Sequence, residues 1–103
     1  MNVQFNYLYR DAGNYKQFGR MVFTNQSNLP ITVIEAAIKE SLITEQYFYV
    51  NEWQLPDLHF YKWDNDLDHT WHEFESIEET NEVAEGKDIA EFLNNIATLK
   101  KQY

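Results

Sequence analysis

The sequence predicts an α+β fold: a mainly antiparallel sheet of about five strands with two helices packed on one face, in the order ββαβββα. Three observations predict it. Apolar residues alternate at period two near the N-terminus, two later segments carry apolar residues at helical spacing behind capping signals, and turn-forming residues separate them.

"NVQFNYLYR" sets Val3, Phe5, Tyr7 and Tyr9 on one face, as in a half-buried strand. Asp11, Gly13 and Asn14 supply a turn, so "YKQFGRMVFTN" is expected to return as a hairpin partner. In "TVIEAAIKESL", Thr32 and Glu35 form a capping-box pattern, and Ile34, Ala37, Ile38, Ser41 and Leu42 recur at helical spacing. "YFYV" and "DLHFYKW" read as two strands, the second apolar enough on both faces for a central position. Residues 69–76 fit either element. Leu67, Trp71 and Phe74 suit a helix, whereas the Thr, Trp and Phe enrichment and the preceding "DND" turn favour a strand. Residues 87–103 form the last element, an amphipathic helix boxed by Asp88 and Glu91, with Ile89, Phe92, Leu93, Ile96 and Leu99 in one stripe. Lys100 and Lys101 complement the negative end of its dipole.

At 103 residues the chain is expected to form a single domain. Seven Phe, seven Tyr and three Trp can anchor its core without staples. The absence of cysteine excludes disulfides, thiolate metal sites and cysteine nucleophiles, and suits a reducing compartment. "MNVQFNYLYR" lacks the features of a signal peptide and no apolar run reaches membrane-spanning length, so the expected location is cytoplasmic, without membrane association.

The net charge of −9 is regional. Residues 1–51 balance four bases against four acids, whereas residues 52–91 hold thirteen acids against Lys62 and Lys87. Such a field repels nucleic-acid backbones and attracts basic partners.

The stretch "DNDLDHTWHEFE" approximates a calcium loop, with Asp64, Asp66 and Asp68 in the first, third and fifth places and Glu75 in the twelfth. His69 stands where glycine should make the sharp turn, and the upstream segment reads as strand rather than helix. On a strand, His69 and His72 point to opposite faces and cannot chelate together. No nucleophile elbow, phosphate loop, dinucleotide fingerprint or metalloprotease helix is present, so the sequence assigns no catalytic residue, metal or cofactor. A turn held by side-chain-to-backbone hydrogen bonds is the favoured reading of residues 64–66.

Positive charge meets aromatic rings at one place. Tyr9, Arg10, Tyr15, Lys16 and Arg20 surround the first turn and could hold a nucleotide or other small anion. The competing expectation pairs Arg10 with carboxylates or histidines of residues 68–73, fixing strand ends together.

"YRDAGNYKQFG", "LPDLHF" and "DHTWHEFESIEET" together resemble a group of small uncharacterised bacterial proteins carrying a YRD-x-x-NYK turn and a DH-x-WHEF run. The resemblance covers roughly residues 5–80 and brings no activity or ligand. It implies that Arg10, Asp11, Asn14, Lys16, His69, Trp71, His72 and Glu73 form one constellation, and that the final helix is an addition of this chain.

The leading functional expectation is a non-enzymatic binding or regulatory module. Its acidic 52–91 region (Asp64, Asp66, Asp68, Glu73, Glu75, Glu78 and Glu79) or its C-terminal helix would engage a macromolecular partner. The partner expected is a protein with a basic surface rather than nucleic acid, and a nucleic-acid-mimicking inhibitor of phage or mobile-element type is a specialised form. The C-terminal helix could also support a homodimer. The alternatives are an anion or nucleotide binder at Arg10–Arg20 and a divalent-metal binder at Asp64–Glu75.

Overall fold

The computed structural model describes residues 1–58 and 71–100. The hairpin comes first. β1 (Asn2–Arg10) and β2 (Lys16–Phe23) pair antiparallel from Val3↔Phe23 to Arg10↔Lys16. The turn between them closes through the Asn14 N–H to the Asp11 carbonyl at 3.0 Å. Asn14 takes φ 68°, a left-handed conformation that asparagine tolerates, while the Asp11 carboxylate accepts the Tyr15 N–H at 2.9 Å.

α1 (Ile31–Ser41) begins with Pro30 as its N-cap and has no side-chain cap. The capping box expected at Thr32 and Glu35 is therefore corrected. Thr32 already lies inside the first turn, and Glu35 forms an i,i+4 ion pair with Lys39 at 2.9 Å. The helix stops at Leu42, and a tight turn with Thr44 (φ 50°) and Glu45 (φ 61°) returns the chain into β3 (Tyr47–Phe48). β3 leads into the one-turn helix α2 (Val50–Trp53), so "YFYV" is half strand and half helix entry.

Residues 55–58 leave α2 and run beneath the hairpin rather than beside another strand. The Tyr7 hydroxyl donates to the Pro56 carbonyl at 2.7 Å, and the Leu58 N–H donates to Nε2 of His72 at 3.1 Å. Asp57 and Leu58 are thus not the start of a strand, because their groups serve side chains of the sheet. The remainder of the expected strand, residues 59–63, lies outside the described residues, as do Asp64, Asp66, Asp68 and His69.

β4 (His72–Thr80) settles the ambiguity over residues 69–76 for the described part in favour of strand. It pairs antiparallel with β1, but the register slips between Asn6↔Ser76 and Tyr7↔Phe74, leaving Glu75 as a bulge. That one extra residue lets both Phe74 and Ile77 pair with core positions of β1, Tyr7 and Phe5, although they stand three apart. A spacing of three mimics a helix in sequence; here it marks a bulged strand.

Among the described residues the sheet has four strands in the order β2-β1-β4-β3, with three helices, rather than about five strands and two helices. α3 (Ile89–Lys100) closes the fold, beginning two residues later than expected. Its stripe is used internally: Ile89, Phe92 and Ile96 are buried with Ile34 and Ile38 of α1. Phe5 sits at the centre, its ring 5.3–6.1 Å from those of Tyr7, Phe48, Trp53, Phe74 and Phe92. No described helix is long and apolar enough to cross a membrane.

Candidate functional site

The strand pairing sorts the charged residues by face. Gln4, Asn6, Leu8 and Arg10 of β1 oppose Val22, Arg20, Phe18 and Lys16 of β2 on the side away from the helices. Across β4 a polar ladder links the strands: Gln4 and Asn6 donate to Glu78, Asn6 donates to Ser76, and Arg20 donates to Gln4. Cations gather toward β2 and carboxylates toward β4.

Arg10 is occupied within this ladder. Its Nε and Nη2 donate to the two Glu73 carboxylate oxygens at 2.8 and 3.4 Å, and Nη1 donates to Asn14 at 2.6 Å. The hydrogen bond to Glu73 raises the Arg10 pKa above its ordinary value. Both side chains are only partly exposed, at 35% and 19%, so the geometry is the bidentate kind rather than a loose surface pair. Residues 10, 14 and 73 therefore do meet. Trp71 and Lys16 are exposed nearby in sequence, but His72 faces the opposite side of the sheet from Arg10 and Glu73, and His69 lies outside the described residues.

The proposed anion site is divided in the same way. Tyr9 is 1% exposed, its ring tilted at 51° to that of His72 with centroids 5.1 Å apart, so it cannot offer a face to a ligand beside Arg10. Tyr15 stands free at 71% exposure and Lys16 and Arg20 are exposed, yet Arg10 is engaged by Glu73 and Arg20 bonds Gln4. Strand periodicity places Tyr9 with Val3, Phe5 and Tyr7, on the face of β1 opposite to that of Arg10.

The acidic set also separates by role. Glu73 is paired. Asp88 caps α3 and ties it to the end of β2, accepting from the Gln26 N–H (2.9 Å), the Thr24 hydroxyl (2.9 Å) and the Ala90 N–H (3.1 Å). Glu75, Glu78, Glu79, Glu82 and Glu85 remain exposed along β4 and the loop after it. Lys87, the one basic side chain among residues 71–91, bonds to Gln54. The described residues contain no group of three or more His, Asp or Glu arranged to hold a metal ion.

His72 is the one buried charged or polar side chain of the described core, at 0% exposure. The rings of Tyr7, Tyr9 and Phe48 surround it at 6.1, 5.1 and 6.1 Å. The Asp57 carboxylate lies 3.4 Å from the same Nε2 that meets the Leu58 N–H. This histidine orders the 55–58 segment under the sheet.

Sequence reasoning missed one further feature, an apolar pocket of about 450 Å³ at the opposite end of the helical layer. The end of α1, β3, α2 and the last turns of α3 build it. Leu42, Phe48, Trp53 and Ile96 form its walls, and among the described residues of the lining Glu52 carries the only charged side chain. Residues remote in sequence create it, so no local pattern announces it. Comparison of the chain with protein families, with curated proteins and with solved structures finds no match.

Proposed function

We propose that the protein is a non-enzymatic binding or regulatory module that engages a basic macromolecular partner through the acidic edge of its sheet. The observation that carries this reading is the fate of its carboxylates. Glu73 and Asp88 are consumed by structure and Glu78 accepts from Gln4 and Asn6, whereas Glu75, Glu79, Glu82 and Glu85 stand exposed in a stretch, residues 71–86, that holds no lysine or arginine. Like charges held on one strand and its following loop repel one another, and a cationic surface relieves that repulsion while steering encounter.

Other versions of the reading lose support. The apolar stripe of α3 is spent on the core, so a homodimer through that helix has only the half-buried Leu93 and Leu99 to use. An anion at the first hairpin lacks Tyr9 and finds Arg10 already engaged.

The test is capture from source-cell extract, followed by affinity measurements on the purified captured protein at two ionic strengths. The triple charge reversal Glu75→Lys, Glu79→Lys and Glu82→Lys changes exposed side chains that form no ion pair among the described residues. A captured basic protein should bind the wild type, weaken steeply with salt and fail to bind the variant. Equal affinity for both chains, or affinity indifferent to salt, rejects the reading.

A further inference from the structure

We infer that the outer edge of β2, over Lys16–Arg20, docks an extended acidic peptide as an added strand. The inference is independent of the acidic surface on β4.

A strand at the end of a sheet presents its outward N–H and C=O groups as a template for another chain. β2 is such a strand, since among the described strands it pairs with β1 alone. The chain itself already uses part of that template. Beside the end of β2, the Glu85 N–H donates to the Val22 carbonyl at 3.0 Å and the Thr24 N–H donates to the Lys87 carbonyl at 3.1 Å. The Ile89 N–H completes the join by donating to the Thr24 carbonyl at 2.8 Å. Both backbone groups of one strand residue point to the same side, and the side alternates along the strand. Lys16, Phe18 and Arg20 therefore turn theirs outward in phase with Val22 and Thr24, and no described segment pairs with them there. Solvent exposure follows the cover. Val22 is 1% exposed and Phe18 61%, and Lys16, Gln17 and Arg20 are exposed as well.

Charge then selects the occupant. Lys16, Phe18 and Arg20 share one face, so an incoming strand meets two cations on either side of an aromatic ring. Neither cation forms an ion pair among the described residues, and Arg20 donates to the neutral Gln4 at 3.1 Å. A second copy of β2 is the wrong occupant. Antiparallel self-pairing centred on Phe18 sets Lys16 opposite the partner's Arg20, and like charges directly opposite are destabilising. Edge cations thus guard against self-association, and the same two side chains favour glutamate or aspartate across from them.

The remaining geometry bounds the site. Glu85 already takes the place beside Val22, so the added strand ends before it. The exposed carboxylates of β4 stand beyond β1, about 10 Å away, where physiological salt screens much of their repulsion. Main-chain hydrogen bonds supply most of the affinity in strand addition, so neither the buried Tyr9 nor the engaged Arg10 is needed.

NMR titration with three end-blocked peptides tests this. The first is Thr-Glu-Thr-Val-Thr-Glu-Thr, the second carries lysine for both glutamates, and the third is the first with N-methyl groups on the valine and both glutamates. The acidic peptide should shift the amides of Lys16, Phe18 and Arg20, slow their hydrogen exchange and bind roughly tenfold more tightly than the lysine peptide. The N-methylated peptide keeps the charge but loses the donors that face β2, and it should not bind. Lys16→Glu together with Arg20→Glu should invert the order of the first two peptides, with unchanged β1 amides reporting an intact sheet. The proposal is overturned by no saturable shift up to about 1 mM peptide, by shifts confined to other surfaces, or by equal binding of the acidic and lysine peptides. Undiminished binding of the N-methylated peptide, a double variant that keeps the acidic preference, or self-association of the chain through β2 overturns it as well.

Discussion

Replacing Asp88 with alanine removes three hydrogen bonds that join the start of α3 to the end of β2. The Ala90 N–H belongs to the first turn of α3, so its loss is that of an N-cap, about 1 kcal/mol. The Gln26 N–H and the Thr24 hydroxyl both donate to a charged acceptor. At a half-exposed site each contributes less than the full value of such a bond, about 0.5–1 kcal/mol. The total is roughly 2–3 kcal/mol, which for a chain of this size lowers Tm by about 10–20 °C. Thr24→Val in the same background should add less than it does alone, since both changes delete one bond. Acid provides an independent readout. The Gln26 N–H, with the Thr24 hydroxyl and the Ala90 N–H, holds the Asp88 carboxyl below its ordinary range against an opposing effect of burial. A depressed folded value stabilises the fold above the unfolded pKa of about 3.9 and loses that contribution as pH falls through the folded value. The wild-type advantage over Asp88→Asn should therefore hold at neutral pH and shrink at acid pH. Urea unfolding measures both effects. A cost below about 0.5 kcal/mol for Asp88→Ala, with an acid limb identical to that of wild type, would refute this account of the joint.

Two further outcomes follow from the segment beneath the hairpin. A Cβ added at Gly19 would lie 2.8 and 2.9 Å from the Leu58 methyl carbons, so Gly19→Ala should destabilise by about 1–3 kcal/mol in urea, and Leu58→Ala in the same chain should relieve much of that penalty. Burial, and then the charges of Asp57 and Glu85, push the Tyr7 phenol up to about 12. A raised folded value contributes stability that is complete below the unfolded pKa of about 10 and is lost as pH rises through the folded value. Ultraviolet difference titration should show the Tyr7 phenol ionising late. Tyr7→Phe should remove one phenol from the late-ionising amplitude and cost about 1 kcal/mol through the bond to the Pro56 carbonyl.

The acidic edge and the pocket differ in how far the chain foreshadows them. Carboxylate density along residues 52–91 is a property of composition, and any fold that exposes β4 would display it. What composition could not assign is which carboxylates are spent. Glu73 and Asp88 look no different from Glu75 and Glu79 until Arg10, Thr24 and Gln26 arrive from other elements. A Coulomb field can be read from a sequence; an ion pair needs coordinates.

Local chemistry alone determined the N-terminal hairpin, both long helices and the inward set of β1, because period-two and helical spacing select a face and Asp, Gly and Asn select a turn. Tertiary structure decided the rest. The Glu75 bulge shifted the phase of β4, so Phe74 and Ile77 reach one core from positions that a regular strand would send to opposite faces. His72 captured the Leu58 N–H, which took residues 57 and 58 out of any ladder. The pocket exists only where α1, β3, α2 and α3 fail to close on one another, a boundary between elements that spacing along one chain cannot describe.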